Sequence, residues 1–231
     1  MRIRVPNAMV LIGSTGSGTT FLSNYVAGQF NGFTICKSVT TRNRRTAEAA
    51  EAAYNFVNEM TFTDLLTSGR LAYVKFSDFD DTKYGIEETE LASIVQHGRS
   101  PILTCHSIEE AQTLKHFLQA RKMASVCISV YASEQDRKHA LARSGETMKH
   151  LVRYHMDVAF KIQAHQKQFA DCNYIVVNRY DSQATEQMRA IVNAIQSNDI
   201  ADGCDVDVIR ESMDADIQEI RRGLSLTASE L

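Results

Sequence analysis

Short apolar runs alternate along the chain with longer segments in which apolar residues recur every three or four positions. The short runs are bounded by polar or glycine-containing stretches and predict strands at residues 8–12, 33–36, 71–76, 102–105, 126–131 and 174–177. The longer segments predict helices at residues 19–27, 61–67, 87–97, 108–120, 134–142, 147–169 and 182–195. Strands separated by crossover helices are typical of an α/β fold built on a mostly parallel sheet.

The pattern predicts one main domain followed by a helical appendage. Only two prolines occur, Pro6 and Pro101, so no proline-rich linker divides the chain, and we assign residues 1–196 to a single domain. Residues 197–231 begin with an acidic linker and continue as a predicted amphipathic helix that ends at Gly223. Its apolar stripe consists of Ile209, Met213, Ile217, Ile220 and Leu224. Such a stripe is covered either by the chain's own domain or by a second copy in a homodimer.

Composition narrows the choice of partners. The 231 residues carry a formal net charge of −3 and a pI near 6.2, which give no overall attraction to nucleic acid or to an anionic membrane. The first apolar run, residues 8–12, is too short to span a bilayer. The five cysteines are scattered and form no C-x-x-C pair, which favours reduced thiols. We therefore expect a cytoplasmic protein without a nucleic acid or membrane partner.

A glycine-rich segment between the first strand and the first helix predicts a phosphate-binding loop, or P-loop. Glycines there let backbone N–H groups converge on phosphate oxygens, and the following helix presents its positive end to the same anion. We assign the donor-phosphate contacts to Gly13, Ser14, Gly16, Ser17, Gly18, Thr19 and Thr20. The simpler alternative is a glycine-rich strand-to-helix turn that binds no ligand.

The loop departs from the usual pattern, G-x-x-x-x-G-K-[ST], at one position. Thr19 stands where the pattern has lysine. That lysine normally neutralises charge on the β and γ phosphates, so its loss removes several kcal/mol of transition-state stabilisation unless another cation substitutes. Thr20 keeps the hydroxyl that binds the Mg²⁺ accompanying ATP in such loops.

Residues 38–57 carry the most specific pattern. Ser38, Arg42, Arg45 and Glu48 fit a motif of the form S-x-T-T-R-x-x-R-x-G-E, with Ala47 in place of its glycine, and Tyr54 and Phe56 follow at the matching spacing. The chain thereby resembles guanylate kinases, over roughly residues 8–195. The resemblance implies a P-loop NTPase-type three-layer fold, an acceptor-binding subregion at about 36–86 and a lid at about 134–155. It also implies that the acceptor nucleotide's phosphate is bound by Ser38, Arg42, Arg45, Tyr54 and Tyr84.

The positions that would read a guanine base differ from the family pattern. Tyr73 stands where the resemblance places a guanine-binding glutamate, His106 where it places a second carboxylate, and Ile86 replaces a small hydroxyl residue. We assign Tyr73 and His106 to the acceptor site. Without those carboxylates the N–H edge of guanine is left unpaired, so we expect GMP to bind poorly. Alternative sources of a carboxylate, in a neighbouring insertion, are Asp78, Asp80 and Asp81.

By the same resemblance, lid arginines close over the donor phosphates. Arg143 and Arg153, with Arg42, are the candidate catalytic residues, and Arg137 is a weaker lid candidate. Two functions remain open. One is an ATP-dependent, Mg²⁺-assisted phosphotransferase acting on a nucleoside monophosphate. The other is a catalytically inactive module that binds a nucleotide or a phosphoprotein, which the missing lysine and carboxylates favour.

Overall fold

The computed structural model of the chain describes residues 8–14, 16–44, 54–76, 81–144, 172–197 and 206–228. These residues contain nine strands and seven helices. The strands are β1 (Ala8–Ile12), β2 (Phe33–Ile35), β3 (Ser38–Thr40), β4 (Tyr54–Phe56), β5 (Leu71–Phe76), β6 (Lys83–Glu87), β7 (Ser100–Cys105), β8 (Ser125–Tyr131) and β9 (Tyr174–Val177). The helices are α1 (Thr19–Gln29), α2 (Glu59–Thr67), α3 (Glu88–Gln96), α4 (Ile108–Ala120), α5 (Glu134–Ser144), α6 (Ser182–Ser197) and α7 (Val206–Ala228).

Five parallel strands form the central sheet, in the order β2-β7-β1-β8-β9. β1 lies in the middle, where Met9 is aligned with Ile102 of β7 and with Val126 of β8. All five residues of β1 are buried, as expected for a strand that is covered on both faces. Because the strands are parallel, the segments that follow β1, β7 and β9 emerge at the same edge of the sheet.

Helices pack on both faces of this sheet. On one face, Leu11 packs in a core with Leu22 of α1 and Met188 of α6. On the opposite face, Val10 packs with Leu114 of α4. Successive residues of β1 therefore point into two different cores, as the period of a strand requires. The predicted three-layer α/β fold is confirmed.

A second sheet contains four short strands, in the order β4-β3-β6-β5. β3 pairs with β4 in parallel and with β6 antiparallel, and β5 completes the sheet beside β6. Its core is small and centres on Val39, Phe62 and Leu65. This sheet spans most of the predicted acceptor-binding subregion.

The six predicted strands are all present, with ends shifted by at most two residues. β3, β4 and β6 were not predicted, because each has only three to five residues and is defined by its pairing rather than by an apolar run. The predicted helices correspond to α1 to α6, except that the one at residues 147–169 lies outside the described residues. None of the described helices is long and apolar enough to cross a membrane.

The C-terminal helix α7 extends further than predicted. The predicted end at Gly223 is wrong, because the helix continues to Ala228. A glycine inside a helix costs only about 1 kcal/mol relative to alanine, and packing of the apolar face offsets that cost. The buried members of the predicted stripe are Ile209, Met213, Ile217 and Ile220. The stripe thus packs against the chain's own domain; the side chain of Leu224 lies outside the described residues.

A buried ionic cluster, here called the α5–α7 anchor, joins this helix to the start of α5. It consists of Tyr131, Glu134, Arg137 and Asp216. Asp216 Oδ2 accepts hydrogen bonds from the Tyr131 hydroxyl at 2.7 Å and from the Glu134 N–H at 3.0 Å. Arg137, with 0% exposure, donates to Glu134 Oε2 at 2.8 Å. The anchor fixes α7 at the root of the helix that leads into the predicted lid.

Candidate functional site

The predicted P-loop lies directly after β1 and leads into α1. Gly16 and Gly18 have φ angles of 76° and 93°, a left-handed conformation that glycine adopts without strain. A side chain at Gly13 would collide with the hydroxyl of Ser17. The helix begins where the Leu22 N–H donates to the Gly18 carbonyl at 3.0 Å. The shape of the loop therefore depends on glycine at these positions.

Two side chains that follow β9 support the loop. Asn178, which has no exposed surface, donates from Nδ2 to the Ser17 carbonyl at 2.8 Å. The Tyr180 hydroxyl donates to the Gly16 carbonyl at 2.5 Å. Asn178 Oδ1 also accepts the Tyr180 N–H at 2.9 Å, so the two supports are tied to each other. Neither residue was predicted as a site residue; the available signal was a polar residue directly after a buried parallel strand.

The hydroxyl residues of the loop differ in their surroundings. Thr19, in the lysine position, is buried and brings no cation, whereas Thr20 is exposed. Ser17 Oγ is buried and has no hydrogen-bond partner among the described residues. An orphaned hydroxyl at a helix N-terminus fits a loop that receives an anion. The exposed hydroxyl of Thr20 fits a Mg²⁺ ion whose other ligands are phosphate and water oxygens.

The predicted acceptor residues lie together. Ser38, Tyr54, Tyr73, Tyr84 and His106 line one pocket. Strand pairing produces this arrangement, because Ser38 is aligned with Tyr54 across β3 and β4, and Thr40 is aligned with Tyr84 across β3 and β6. The rings of Tyr54 and Tyr84 meet edge to face, with centroids 6.1 Å apart. Four of these five residues carry a hydroxyl group, so the pocket is lined mainly by hydroxyl-bearing side chains.

Arg42 lies beside this pocket. Its guanidinium is 5.2 Å from the ring centroids of Tyr54 and of Phe56, which is within the range of cation–π attraction. Its backbone N–H donates to Thr40 Oγ1 at 3.2 Å. The predicted phosphate-binding arginine and the pocket hydroxyls are therefore close together, as a phosphate site requires.

The other predicted arginines are placed differently. Arg45 and Arg153 lie outside the described residues, as does the side chain of Arg143. Arg137 is held in the α5–α7 anchor, where it also donates to the Ala132 carbonyl at 2.5 Å. The weaker lid candidate is therefore wrong, since a fully buried guanidinium does not reach a ligand.

The pocket also contains an ion pair that was not predicted. Lys75 of β5 donates from Nζ to Glu110 Oε2 of α4 at 2.6 Å, and both side chains line the pocket. The same oxygen accepts the His106 N–H at 2.9 Å. Of the alternative carboxylates, Asp81 is exposed and Asp78 and Asp80 lie outside the described residues. The carboxylate in the pocket comes from the first turn of α4 instead.

His106 joins the pocket to the P-loop. It lines the pocket, and its Nδ1 lies 3.4 Å from the Gly13 carbonyl oxygen. The carbonyl of the preceding residue, Cys105, accepts the Gly13 N–H at 3.2 Å. The two predicted phosphate sites therefore meet at one edge of the central sheet, with β1 and β7 placing them side by side.

Burial raises the pKa of two pocket tyrosines, Tyr54 and Tyr73, further above neutral pH. Burial raises the pKa of Tyr54, and the neighbouring Tyr84 raises it further. The pKa of Tyr73 is also raised, first by burial and then by the negative charge of Glu110. Tyr54 is hydrogen-bonded to Thr104, which lines the same pocket. Neutral phenols remain hydrogen-bond donors, which is the form that a phosphate or a base oxygen requires.

Comparison with known proteins finds relatives of this chain among guanylate kinases. A family model described as guanylate kinase matches residues 5–195. The chain is 28% identical over 190 residues to a guanylate kinase of Rhodopseudomonas palustris (strain BisB5), covering 81% of this chain and 82% of that protein. It is 25% identical over 186 residues to a guanylate kinase of Nitrobacter winogradskyi, covering 80% of this chain and 81% of that protein.

A solved structure is also similar. The crystal structure of guanylate kinase from Anaplasma phagocytophilum aligns with a TM-score of 0.58 and 18% identity. The alignment covers 86% of this chain and 89% of that chain. At this identity the likeness is one of fold, and it agrees with the three-layer architecture described above.

Proposed function

The chain belongs to the guanylate kinase family, and we propose that it transfers a phosphoryl group from ATP to a nucleoside monophosphate. The observation that carries the proposal is the contact between His106 of the acceptor pocket and Gly13 of the P-loop. Phosphoryl transfer needs donor and acceptor phosphates held side by side and in line. A pocket lined with hydroxyls that adjoins a phosphate loop meets that need.

The acceptor phosphate binds to the hydroxyls of Ser38, Tyr54 and Tyr84 and to the guanidinium of Arg42. These donors come from three paired strands, β3, β4 and β6, and from the turn that follows β3, so they are positioned before the ligand arrives. Charge-assisted bonds from arginine and hydroxyl groups to phosphate oxygens are strong and directional. Arg45, by its place in the family motif, adds a second guanidinium to the same phosphate.

The donor phosphates bind to the loop between Gly13 and Thr20. The N-terminus of α1 faces them, and Ser17 Oγ is available as an additional hydrogen-bond donor. Mg²⁺ bound with ATP adds positive charge at the β and γ phosphates, and Thr20 is the residue placed to hold it. Because Thr19 supplies no charge, Arg143 and Arg153 of the lid carry the remaining stabilisation. We therefore expect a kinase with a reduced turnover rate.

A coupled assay of ADP release with GMP, dGMP, IMP, AMP and dTMP tests the proposal. Arg42→Ala should reduce kcat/KM at least tenfold, since it removes a charged contact to the acceptor phosphate. The matched control is Arg44→Ala, because Arg44 stacks on Phe56 at 4.9 Å and occupies a variable position of the family motif. Equal loss in both variants, or no turnover with any monophosphate, would contradict the proposed role.

One observation favours a second function. Thr19 is buried in the position of the phosphate-binding lysine, so the donor site has lost its fixed cation. A catalytically inactive module that binds a nucleotide or a phosphoprotein through the acceptor pocket is consistent with that loss. This function is supported if neither the natural chain nor Thr19→Lys turns over, while monophosphate binding is saturable and is abolished by Arg42→Ala.

A further inference from the structure

Two cysteine side chains lie against each other on the face of the central sheet that α4 covers. Cys127 belongs to β8, and Cys172 stands two residues before β9. Their Sγ atoms are 3.5 Å apart, and both thiols are free. Both side chains pack at the edge of the core that contains Leu114 of α4. We call Cys127 and Cys172 the thiol pair.

The backbone holds the thiol pair in place. The Cys127 N–H donates to Asn173 Oδ1 at 2.8 Å, and the Asn173 N–H donates to the Cys127 carbonyl at 2.8 Å. Two hydrogen bonds therefore join Cys127 to the residue directly after Cys172. The parallel pairing of β8 and β9 begins at the next residues, Ile128 and Tyr174. The two thiols thus meet because of the register of the sheet.

The contact is close to the geometry of a disulfide. A disulfide has a sulfur–sulfur distance of about 2.05 Å, so the two Sγ atoms must approach each other by about 1.5 Å. Neighbouring strands lie about 4.8 Å apart, which suits the Cα separations of about 4.4–6.8 Å found across disulfides. Rotation of the two side chains can therefore close the bond while the sheet stays paired.

The thiol pair is accessible, in contrast to the other thiols that the structure describes. Cys127 and Cys172 are half-buried and line a cavity of about 420 Å³, to which Lys115 of α4 adds a positive charge. A positive charge favours the thiolate, which is the reactive form of cysteine. Cys36 and Cys105 are buried, and burial raises the pKa of both thiols. These two thiols therefore stay protonated and unreactive.

We propose that the thiol pair is a site of reversible oxidation, where a low-molecular-weight disulfide converts the two thiols into a Cys127–Cys172 disulfide. One cysteine thiolate attacks a sulfur of the reagent, forms a mixed disulfide and releases one reagent thiol. The other cysteine then attacks the protein sulfur of the mixed disulfide, closes the internal bond and releases the second reagent thiol. Two protein thiols are oxidised, the reagent disulfide is reduced to two thiols, and the two cysteine protons pass to them. An excess of a dithiol reverses the reaction.

This site is separate from the predicted phosphate sites. Among the described residues, the cavity beside the thiol pair shares no lining residue with the acceptor pocket, so the inference does not depend on the proposed function. The bond would restrain the unfolded chain between residues 127 and 172. The oxidised protein should therefore be more stable than the reduced protein.

The alternative is a pair of thiols that only pack, since cysteine also serves as a small apolar residue. To separate the two, the natural chain and the variants Cys127→Ser, Cys172→Ser and Cys204→Ser are incubated with oxidised glutathione under native conditions. Cys204→Ser is the matched control, because it removes a cysteine outside the described residues and leaves the thiol pair intact. Peptide mapping by mass spectrometry then reads each cysteine separately.

In the natural chain and in Cys204→Ser, mapping should find residues 127 and 172 linked to each other, and dithiothreitol should restore both thiols. Cys127→Ser and Cys172→Ser should instead stop at the mixed disulfide, with glutathione on the remaining member of the pair, because the second thiol is missing. Oxidation should raise the midpoint of thermal unfolding by about 4 °C or more in the natural chain. Neither variant of the thiol pair should show that rise.

Four results would overturn the inference. They are an unreacted thiol pair in the natural chain, stable glutathione on both of its cysteines, a bond from either one to a different cysteine, and a midpoint of unfolding that falls on oxidation. Thermal unfolding of the reduced variants identifies one that fails to fold. The other variant and the map of the natural chain then decide.

Discussion

Two clusters of opposite charge are shielded from bulk water: the α5–α7 anchor and the pocket pair, Lys75 and Glu110. They differ in how fully the surrounding chain encloses them. In the anchor, Arg137 has no exposed surface, and Asp216 Oδ2 is shared by Tyr131 and Glu134. In the pocket pair, one carboxylate oxygen is unused by the described residues and the cavity adjoins it. Among the described residues the anchor is sealed from solvent, although Arg137 Nε has no hydrogen-bond partner there, whereas the pocket pair adjoins a cavity.

This difference separates two roles that charge burial can have. Removing one partner of an enclosed cluster leaves the other charge buried with neither an opposite charge nor water beside it, which lowers the free energy of unfolding. An open pair with partial exposure loses less, because water can replace the missing partner. We therefore expect changes in the anchor to appear mainly in stability and changes in the pocket pair to appear mainly in ligand binding.

The largest effect is expected from Arg137→Leu. It leaves Asp216 without a cation and Glu134 with only the half-exposed Lys138, whose Nζ lies 3.6 Å from Glu134 Oε1, so the free energy of unfolding should fall by about 3–5 kcal/mol, as measured by urea denaturation. The control is Arg70→Leu, which breaks the exposed Arg70–Glu87 pair, where Arg70 has 59% exposure, and should cost less than about 1 kcal/mol. Similar losses in the two variants would show that the buried anchor contributes no more to the free energy of unfolding than an exposed ion pair does.

A smaller effect is expected in the pH dependence of stability. Burial raises the pKa of Asp216 above its ordinary value of 3.8, so the folded chain binds this proton more tightly than the unfolded chain does. The contribution of Asp216 to the free energy of unfolding is therefore greatest below pH 3.8 and declines as pH rises from there through the raised pKa of the folded chain. Asp216→Asn should remove that decline in urea titrations at a series of pH values, and the exposed Glu219→Gln should not. A decline that persists in Asp216→Asn would place its source elsewhere.

The smallest effect on stability is expected from Glu110→Gln. The amide still accepts the His106 N–H and still caps α4, and Lys75 is partly exposed, so the free energy of unfolding should change by less than about 1 kcal/mol. Urea denaturation beside Glu109→Gln, a change at the exposed neighbouring residue, measures the difference. A loss as large as that of Arg137→Leu would mean that the pocket pair is structural, and the contrast between the two clusters would fail.

Local features were predictable because their physical cause is local. β1 is an uninterrupted apolar run between polar ends, and α4 begins at a serine cap followed by a periodic apolar face. The glycines of the predicted P-loop indicate a turn, because glycine adopts backbone conformations that other residues avoid. For these elements the sequence pattern and the final environment coincide.

Features that depend on distant partners were not predictable in the same way. β3 and β4 each have three residues, and only their pairing makes them strands. Tyr180 supports Gly16, a residue far away along the chain, and Glu110 meets Lys75 only after α4 packs beside the second sheet. Periodicity reports burial along a segment, whereas these contacts follow from which segments the topology places together.

The support that Asn178 and Tyr180 give to the P-loop has a consequence for how this protein can evolve. Asn178 and Tyr180, which follow β9, fix the shape of the loop. The positive charge of the loop depends instead on residue 19. If the loop binds the donor phosphates as proposed, the two properties are encoded far apart, so a substitution at residue 19 changes the charge of the site without disturbing the contacts that shape it.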